Sequence, residues 1–179
     1  MAVDLKITNI SKENICDINL PNQEFEVFGR LIPLFINGKW DYDEKIHDKS
    51  YMHCFTNDEM DYSEYIDNPD KTVIFAYVDF ECVGQIRIRK NWNRYCFVED
   101  IAVSKDYRKQ GIARKLLYEA EVWAKGKSLF GFMLEAQDYN LGACRFYIKN
   151  GFILGSVDNM LYHNTEDRGA LALFWYKVF

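Results

Sequence analysis

Between Val98 and Ala113 the chain reads Val-Glu-Asp-Ile-Ala-Val-Ser-Lys-Asp-Tyr-Arg-Lys-Gln-Gly-Ile-Ala. These residue types suit anion binding beside proton transfer. Lys105, Arg108, Lys109, Arg114 and Lys115 crowd five cations around one short turn, opposed there by Asp106 alone. Ile101, Ala102 and Val103 before the turn are apolar in succession, as in a buried strand, and an amphipathic helix opens at Gly111. A helix start presents unpaired backbone N–H groups and the positive end of the macrodipole, so strand, basic loop and helix start together suit a phosphate. Gly111 has no Cβ to keep the anion away. On this reading the backbone of Gln110, Gly111, Ile112, Ala113, Arg114 and Lys115 cradles a pyrophosphate, with Arg108 and Lys109 beside it. A Walker A loop would end in Gly-Lys-Ser/Thr and a Rossmann turn would carry two more glycines; neither is present.

Immediately upstream stand two carboxylates, Glu99 and Asp100. Such a pair can hold an ammonium, and one member can take its proton. That help matters, because a lysine-like pKa near 10.4 leaves roughly one amine in 2,500 neutral at pH 7. Strand alternation groups Glu99 with Phe97 and Ile101, and Asp100 with Val98 and Ala102. A bulge would scramble that assignment. Both acids also suit a structural role, paired with Arg or Lys of neighbouring strands, and the choice between them stays open. Cys144 has no His near it in the pattern to activate it, so packing is its expected role. His47, His53 and His163 lack metal-ligand spacing, and no metal site is expected.

The elements that would position these groups follow from pattern. Leu5–Ile10 alternates as an edge strand. Phe25, Phe28, Leu31, Ile32 and Phe35 recur at helical spacing, which predicts a helix over 25–35 that Pro33 breaks or ends. From there to Asn68 the chain is acidic, aromatic and irregular, as functional loops often are. Thr72–Val78, Cys82–Lys90 and Tyr95–Val103 predict three antiparallel strands. A helix from Gly111 to about Lys125 is expected to cap at Gly126. Phe132–Ala136 predicts a strand, Leu141–Asn150 a helix closed by Gly151, and Phe152–Val157 and Leu171–Val178 the last two strands.

A chain of 179 residues with 49% hydrophobic and 16% aromatic content can bury one proper core, which predicts a single domain over 1–179. Five cysteines without a Cys-x-x-Cys pair predict reduced thiols. Asp4 and Lys6 interrupt the opening, so no signal peptide is expected, and no run approaches the ~20 apolar residues of a membrane span. A cytoplasmic protein is the expectation. The net charge of −5 argues against nucleic acid as a partner. Ten acids between Asp41 and Asp70, against Lys45 and Lys49, read either as a face for a cationic ligand or as a solvated acidic loop. Oligomeric state is left open, a homodimer among the options.

Arg108-x-x-Gly111-x-Ala113, placed between strand and helix, resembles the coenzyme A-binding motif of the GNAT superfamily of N-acetyltransferases. The order of elements resembles that fold over most of the chain. The resemblance implies an α/β (α+β) protein with a central, mixed but mostly antiparallel sheet flanked by helices. Lys90–Tyr95, Glu99–Val103, Leu134–Asp138 and Gly155–Tyr162 are similar in particular to the streptothricin acetyltransferases. That implies acetyl transfer from acetyl-CoA to an amine of the antibiotic's β-lysine, hence a cationic small-molecule substrate. It also implies that backbone N–H groups of the Ile101-Ala102-Val103 run, those of Ile101 and Val103, polarise the thioester. Asn140-x-x-Ala143-x-x-Phe146-Tyr147 with Gly151-Phe152 resembles the family's second motif, where the Asn contacts the pantetheine arm and the Tyr protonates the coenzyme thiolate. Core packing is the other use open to Phe146 and Tyr147. A polyamine or other amine acetyltransferase, and a non-catalytic acyl-CoA-binding regulator, are the competing readings.

Overall fold

The computed structural model describes residues 5–179. In chain order its regular elements are β1 (Leu5–Asn9), β2 (Phe25–Ile36), β3 (Lys39–His53), β4 (Lys71–Val78), β5 (Glu81–Lys90), β6 (Cys96–Val103), α1 (Ile112–Gly126), β7 (Gly131–Gln137), α2 (Leu141–Lys149), β8 (Ile153–Asp158) and β9 (Ala172–Val178). The class is α+β. The elements gather into two compact units, one formed by the chain up to Glu24 with Cys54–Gly131 and Phe179, the other by Phe25–His53 with Phe132–Val178.

In the first unit β1, β4, β5 and β6 lie side by side in that order, each pair antiparallel. One face is covered by α1, whose buried stripe is Ile112, Leu116, Leu117, Ala120 and Ala124. The approach is close: a Cβ on Gly84 would stand 3.0 Å from Ile112 and 3.1 Å from Leu116. Ile86 and Ile88 share the parity of Gly84 and are fully buried. A second cluster holds Ile10, Tyr65, Val73, Phe75 and Cys82. The expected edge strand and three-strand meander are present, with Asp79 and Phe80 both left-handed at the first meander turn (φ +47° and +69°).

The second unit corrects the predicted helix over 25–35. That stretch is β2, half of a two-stranded ribbon with β3, and the acidic stretch expected to be irregular supplies β3. Burial explains the outcome. Val27, Gly29 and Leu31 are buried at every second position, a period of two that Gly29, lacking a side chain, hides from a hydrophobicity count. Pro33, unsuited to a helix interior, is tolerated in a two-stranded ribbon. Asn37 and Gly38 make the hairpin turn with φ +51° and +77°, the conformation for which Asn-Gly is favoured. A Cβ at Gly29 would come within 2.6 Å of the Lys45 carbonyl and 2.9 Å of Leu141, so only glycine lets α2 lie on the ribbon. Strands β7, β9 and β8 are neighbours in that order, with β8 and β9 antiparallel.

Both helices end in the same hydrogen-bonded cap. For α2 the Gly151 N–H reaches the Ile148 carbonyl and the Phe152 N–H reaches that of Tyr147, each at 3.0 Å, with Gly151 left-handed as expected. For α1 the expectation was wrong by two residues. Gly126 is the last helical residue, and Ser128 takes the left-handed place (φ +55°) with Ser128→Lys125 and Leu129→Ala124 bonds of 3.0 and 3.1 Å. Leu129 is buried, and burying it fixes where the chain turns.

Candidate active site

The loop from Val103 to Ile112 is organised by Arg108, although not in the role foreseen. Its Nε donates to the Val103 carbonyl at 2.9 Å, Nη1 to the Glu24 carbonyl at 2.8 Å and Nη2 to the Gln23 carbonyl at 3.2 Å. Burial lowers its pKa. Arg108 is therefore a clip that fastens the end of β6 to the Gln23-Glu24 segment, and the Lys105 N–H donates to the Gln23 side chain at 2.8 Å as a second tie. Beyond the clip, Lys109 (φ +62°) and Gly111 (φ +87°) are both left-handed. Left-handed residues at alternate positions are how a backbone turns successive N–H groups toward an anion.

Gly111 caps α1, no side chain bonds to that cap, and the first turn contains no acid. Nothing lies within 4 Å of where a Gly111 Cβ would be. Open space ahead of uncapped N–H groups, with Arg114 and Lys115 exposed in the first turn, fits a phosphate-bearing ligand. Gln110 folds its side chain back to the Asp106 carbonyl at 2.9 Å, which leaves its contribution to the backbone. The Lys115 N–H is already committed to the Gly111 carbonyl at 3.1 Å, so the donors left for an anion lie upstream of it.

At Glu99 the strand register shifts: Arg87 pairs with Asp100 and Ile88 with Val98, so Glu99 is the extra residue of a bulge in β6. Simple alternation would have sent the two carboxylates to opposite faces. The bulge instead turns both toward the polar stripe Gln85, Arg87 and Arg89 of β5. Glu99 accepts from the Tyr65 hydroxyl at 2.7 Å and from Arg89 Nε at 3.0 Å, with Arg87 Nε 3.7 Å away. Asp100 accepts from Gln85 Nε2 at 2.5 Å. Burial raises the Asp100 pKa, while the Gln85 bond and the Arg87 charge pull it back. Arg87 itself is buried and paired to Asp58 at 2.7 Å. After the bulge, Ile101, Ala102 and Val103 register with Ile86, Gln85 and Gly84.

In the second unit Asn140 is the N-cap of α2. Its side-chain oxygen accepts from the Ala143 N–H at 3.2 Å, and its backbone bridges to Gly29 of β2. Tyr147 follows on the same helix, buried among Phe146, Phe152 and Trp175 at ring separations of 5.7, 5.6 and 6.3 Å. The cap bond from Phe152 to its carbonyl fixes its height along the helix. Cys144 is fully buried, and burial pushes its thiol up to about 12, which suits packing and not nucleophilic attack.

Sequence reasoning missed the groups that hold the carboxylates: Gln85, Arg87, Arg89 and Tyr65. The signal was there, since Gln-Ile-Arg-Ile-Arg from Gln85 to Arg89 alternates polar and apolar with period two. It also missed a polar latch in the second unit. There Tyr139 donates to Asp167 at 2.6 Å, Tyr162 to Glu135, and buried Asp138 receives the Leu171 N–H at 3.0 Å.

The acidic stretch is divided between the two units. Asp41, Asp43, Glu44 and Asp48 belong to β3 of the second unit, whereas Asp58 to Asp70 belong to the first. Several are already paired: Glu44 with Arg145, Asp58 with Arg87, Glu64 with Lys71 and Asp70 with Lys90.

Residues 39–152 match the model of the acetyltransferase (GNAT) family. Over 175 residues the chain is 46% identical to streptothricin acetyltransferase A of Bacillus subtilis (strain 168), covering 98% of this chain and 99% of that protein. It is 35% identical over 163 residues to a streptothricin acetyltransferase of Escherichia coli, covering 90% and 81%. Among solved structures, a Bacillus anthracis str. Ames protein in complex with acetyl coenzyme A superposes with a TM-score of 0.88 at 31% identity, over 100% of this chain and 99% of that one. With the strand–basic loop–helix arrangement already described, these matches place the chain in the acetyltransferase (GNAT) family.

Proposed function

We propose that this protein inactivates streptothricin by moving an acetyl group from acetyl-CoA to an amine of the antibiotic's β-lysine. The observation that carries the reading is the 46% identity, over nearly the whole of both chains, to streptothricin acetyltransferase A. The uncapped α1 start and its basic loop support acetyl-CoA as the donor, as does similarity to a structure solved with that coenzyme. When bound, acetyl-CoA supplies the activated acetyl group. The N–H groups from Gln110 to Arg114 hold its pyrophosphate, and Lys109 adds charge beside them. Asn140 turns its amide to the pantetheine arm. Backbone N–H groups of the Ile101–Val103 run polarise the thioester carbonyl, since donors aimed at developing charge lower the barrier.

The remaining work is proton movement. A carboxylate of the β6 bulge, Glu99 or Asp100, takes a proton from the substrate ammonium, and the freed amine attacks the acetyl carbonyl carbon. As the C–S bond breaks, the Tyr147 hydroxyl gives its proton to the leaving sulfur and recovers the one shed by the new amide nitrogen. The products are an N-acetylated antibiotic and free coenzyme A. Both compact units act as one acetyltransferase domain in this reading, since the family match runs across both. A cytoplasmic protein suits the five free cysteines, and no helix among the described residues is long and apolar enough to cross a membrane. Neither nucleic acid nor a second chain is needed for any step.

The test is thiol release from acetyl-CoA with streptothricin, spermidine and a neutral primary amine. Streptothricin is expected to give the highest kcat/KM. A preference for spermidine would make the protein a polyamine acetyltransferase, and coenzyme binding without thiol release would make it a non-catalytic binder.

A further inference from the structure

The two carboxylates of the bulge are not equivalent. Glu99 has both oxygens engaged, one by the Tyr65 hydroxyl and one by Arg89, and so ties β6 to β5 and to the Tyr62–Tyr65 turn. Asp100 is partly exposed and bonded through Oδ2 alone, and Oδ1 has no hydrogen bond among the described residues. The group bonded to Oδ2 is unusual. Gln85 is fully buried, and a buried amide is placed only if its ends are both satisfied. Its Oε1 accepts the Asn19 backbone N–H at 2.7 Å, a donor that cannot reverse. That fixes the amide so that Nε2 must face Asp100. Asn19 is itself held, left-handed at φ +67°, by a 2.9 Å bond from its side chain to the Tyr62 hydroxyl.

Resting on the acetyl-transfer reading above, we propose that Asp100 is the carboxylate that receives the substrate ammonium and its proton, and that Gln85 is the residue that positions it. Glu99 is a structural anchor. The bound Oδ2 leaves Oδ1 as the atom that accepts the ammonium N–H. The proton passes from nitrogen to Oδ1, leaving a neutral amine and a neutral carboxyl, and the carboxyl returns the proton to solvent after turnover. The charged and titratable groups facing Asp100 are Arg87 on β5, Asp58 from the loop after β3 and Glu99 on its own strand. Arg87 favours the ionised carboxylate, and the two acids oppose it. Burial also favours the neutral form, and the Gln85 amide favours the charged one. Removing that amide should therefore raise the pH at which Asp100 becomes competent.

The experiment is the pH profile of kcat/KM with streptothricin and acetyl-CoA for the native protein, Gln85→Leu, Asp100→Asn and the double variant, each checked for folding by thermal melt. Gln85→Leu is expected to move the acid limb upward by about one pH unit and to recover much of its rate above it. Asp100→Asn is expected to abolish that limb and lower kcat, and the double variant to be no slower than Asp100→Asn alone. A merely structural Gln85 would lower the melting temperature and leave the limb in place. If Gln85→Leu fails to fold, Gln85→Glu keeps the shape and puts a like charge beside Asp100, so its limb must also move upward. An unmoved limb in a folded Gln85 variant, or a native limb in Asp100→Asn, overturns the proposal. A native protein that releases no thiol with any amine overturns the acetyl-transfer reading and this assignment with it.

Discussion

At the scale of single residues, the role proposed for Tyr147 is one that a single atom can test. Tyr147→Phe removes a hydroxyl and keeps the ring that packs on Phe146, Phe152 and Trp175. The melting temperature and acetyl-CoA affinity should therefore stay close to native, while kcat falls by roughly 10- to 10³-fold for a lost general acid. Steady-state kinetics with calorimetry on the same preparation checks this, and an unchanged kcat would return Tyr147 to the core. The residues proposed to carry the chemistry stand out in the sequence by type and by resemblance, but what holds them does not. The carboxylates of Glu99 and Asp100 share a face because one extra residue sits in β6, and a bulge leaves no mark in residue types. Arg108 was legible as a cation of the loop, yet its guanidinium is spent on three backbone carbonyls, two of them more than eighty residues away in sequence.

Among the elements, the strands of the first unit and both helices follow their hydrophobic period closely, and the β2–β3 ribbon does not. Its five apolar residues at helical spacing competed with an alternation interrupted by Gly29 and Pro33. The Asn37-Gly38 pair was the better signal, because it specifies the backbone and not merely the burial. The loop before α1 shows how one side chain can organise an element boundary. Arg108→Lys keeps the charge but loses the fork that serves three carbonyls at once. A hydrogen bond nets about 0.5–1.5 kcal/mol, and two of these three lie at exposed residues where water can replace the donor, so the melting temperature should fall by only a few degrees. Acetyl-CoA affinity should fall with it, because the α1 start is no longer held against the Gln23-Glu24 segment. Calorimetry of the folded variant reads both, and native affinity in Arg108→Lys would mean that the clip does not shape the cradle.

For the molecule as a whole, the sequence disclosed class and family, because element order and the Arg108–Ala113 motif are local properties. The division into two compact units was not legible, since each unit is assembled from segments remote in the chain. Charge was legible only as a sum. Ten acids in one stretch read either as a face for a cation or as a solvated loop; in the fold they are divided between the two units, and several pair with arginine or lysine. In the proposed reaction, recognition of the cation falls to particular carboxylates, with long-range attraction screened beyond about 8–10 Å at physiological salt. The most direct measurement is mass spectrometry of streptothricin after incubation with the native protein and acetyl-CoA. The expected product is the antibiotic bearing one added acetyl group, with fragmentation placing it on the β-lysine moiety and free coenzyme A formed in equal amount. Unmodified streptothricin, or an acetyl group found outside the β-lysine, would contradict the account.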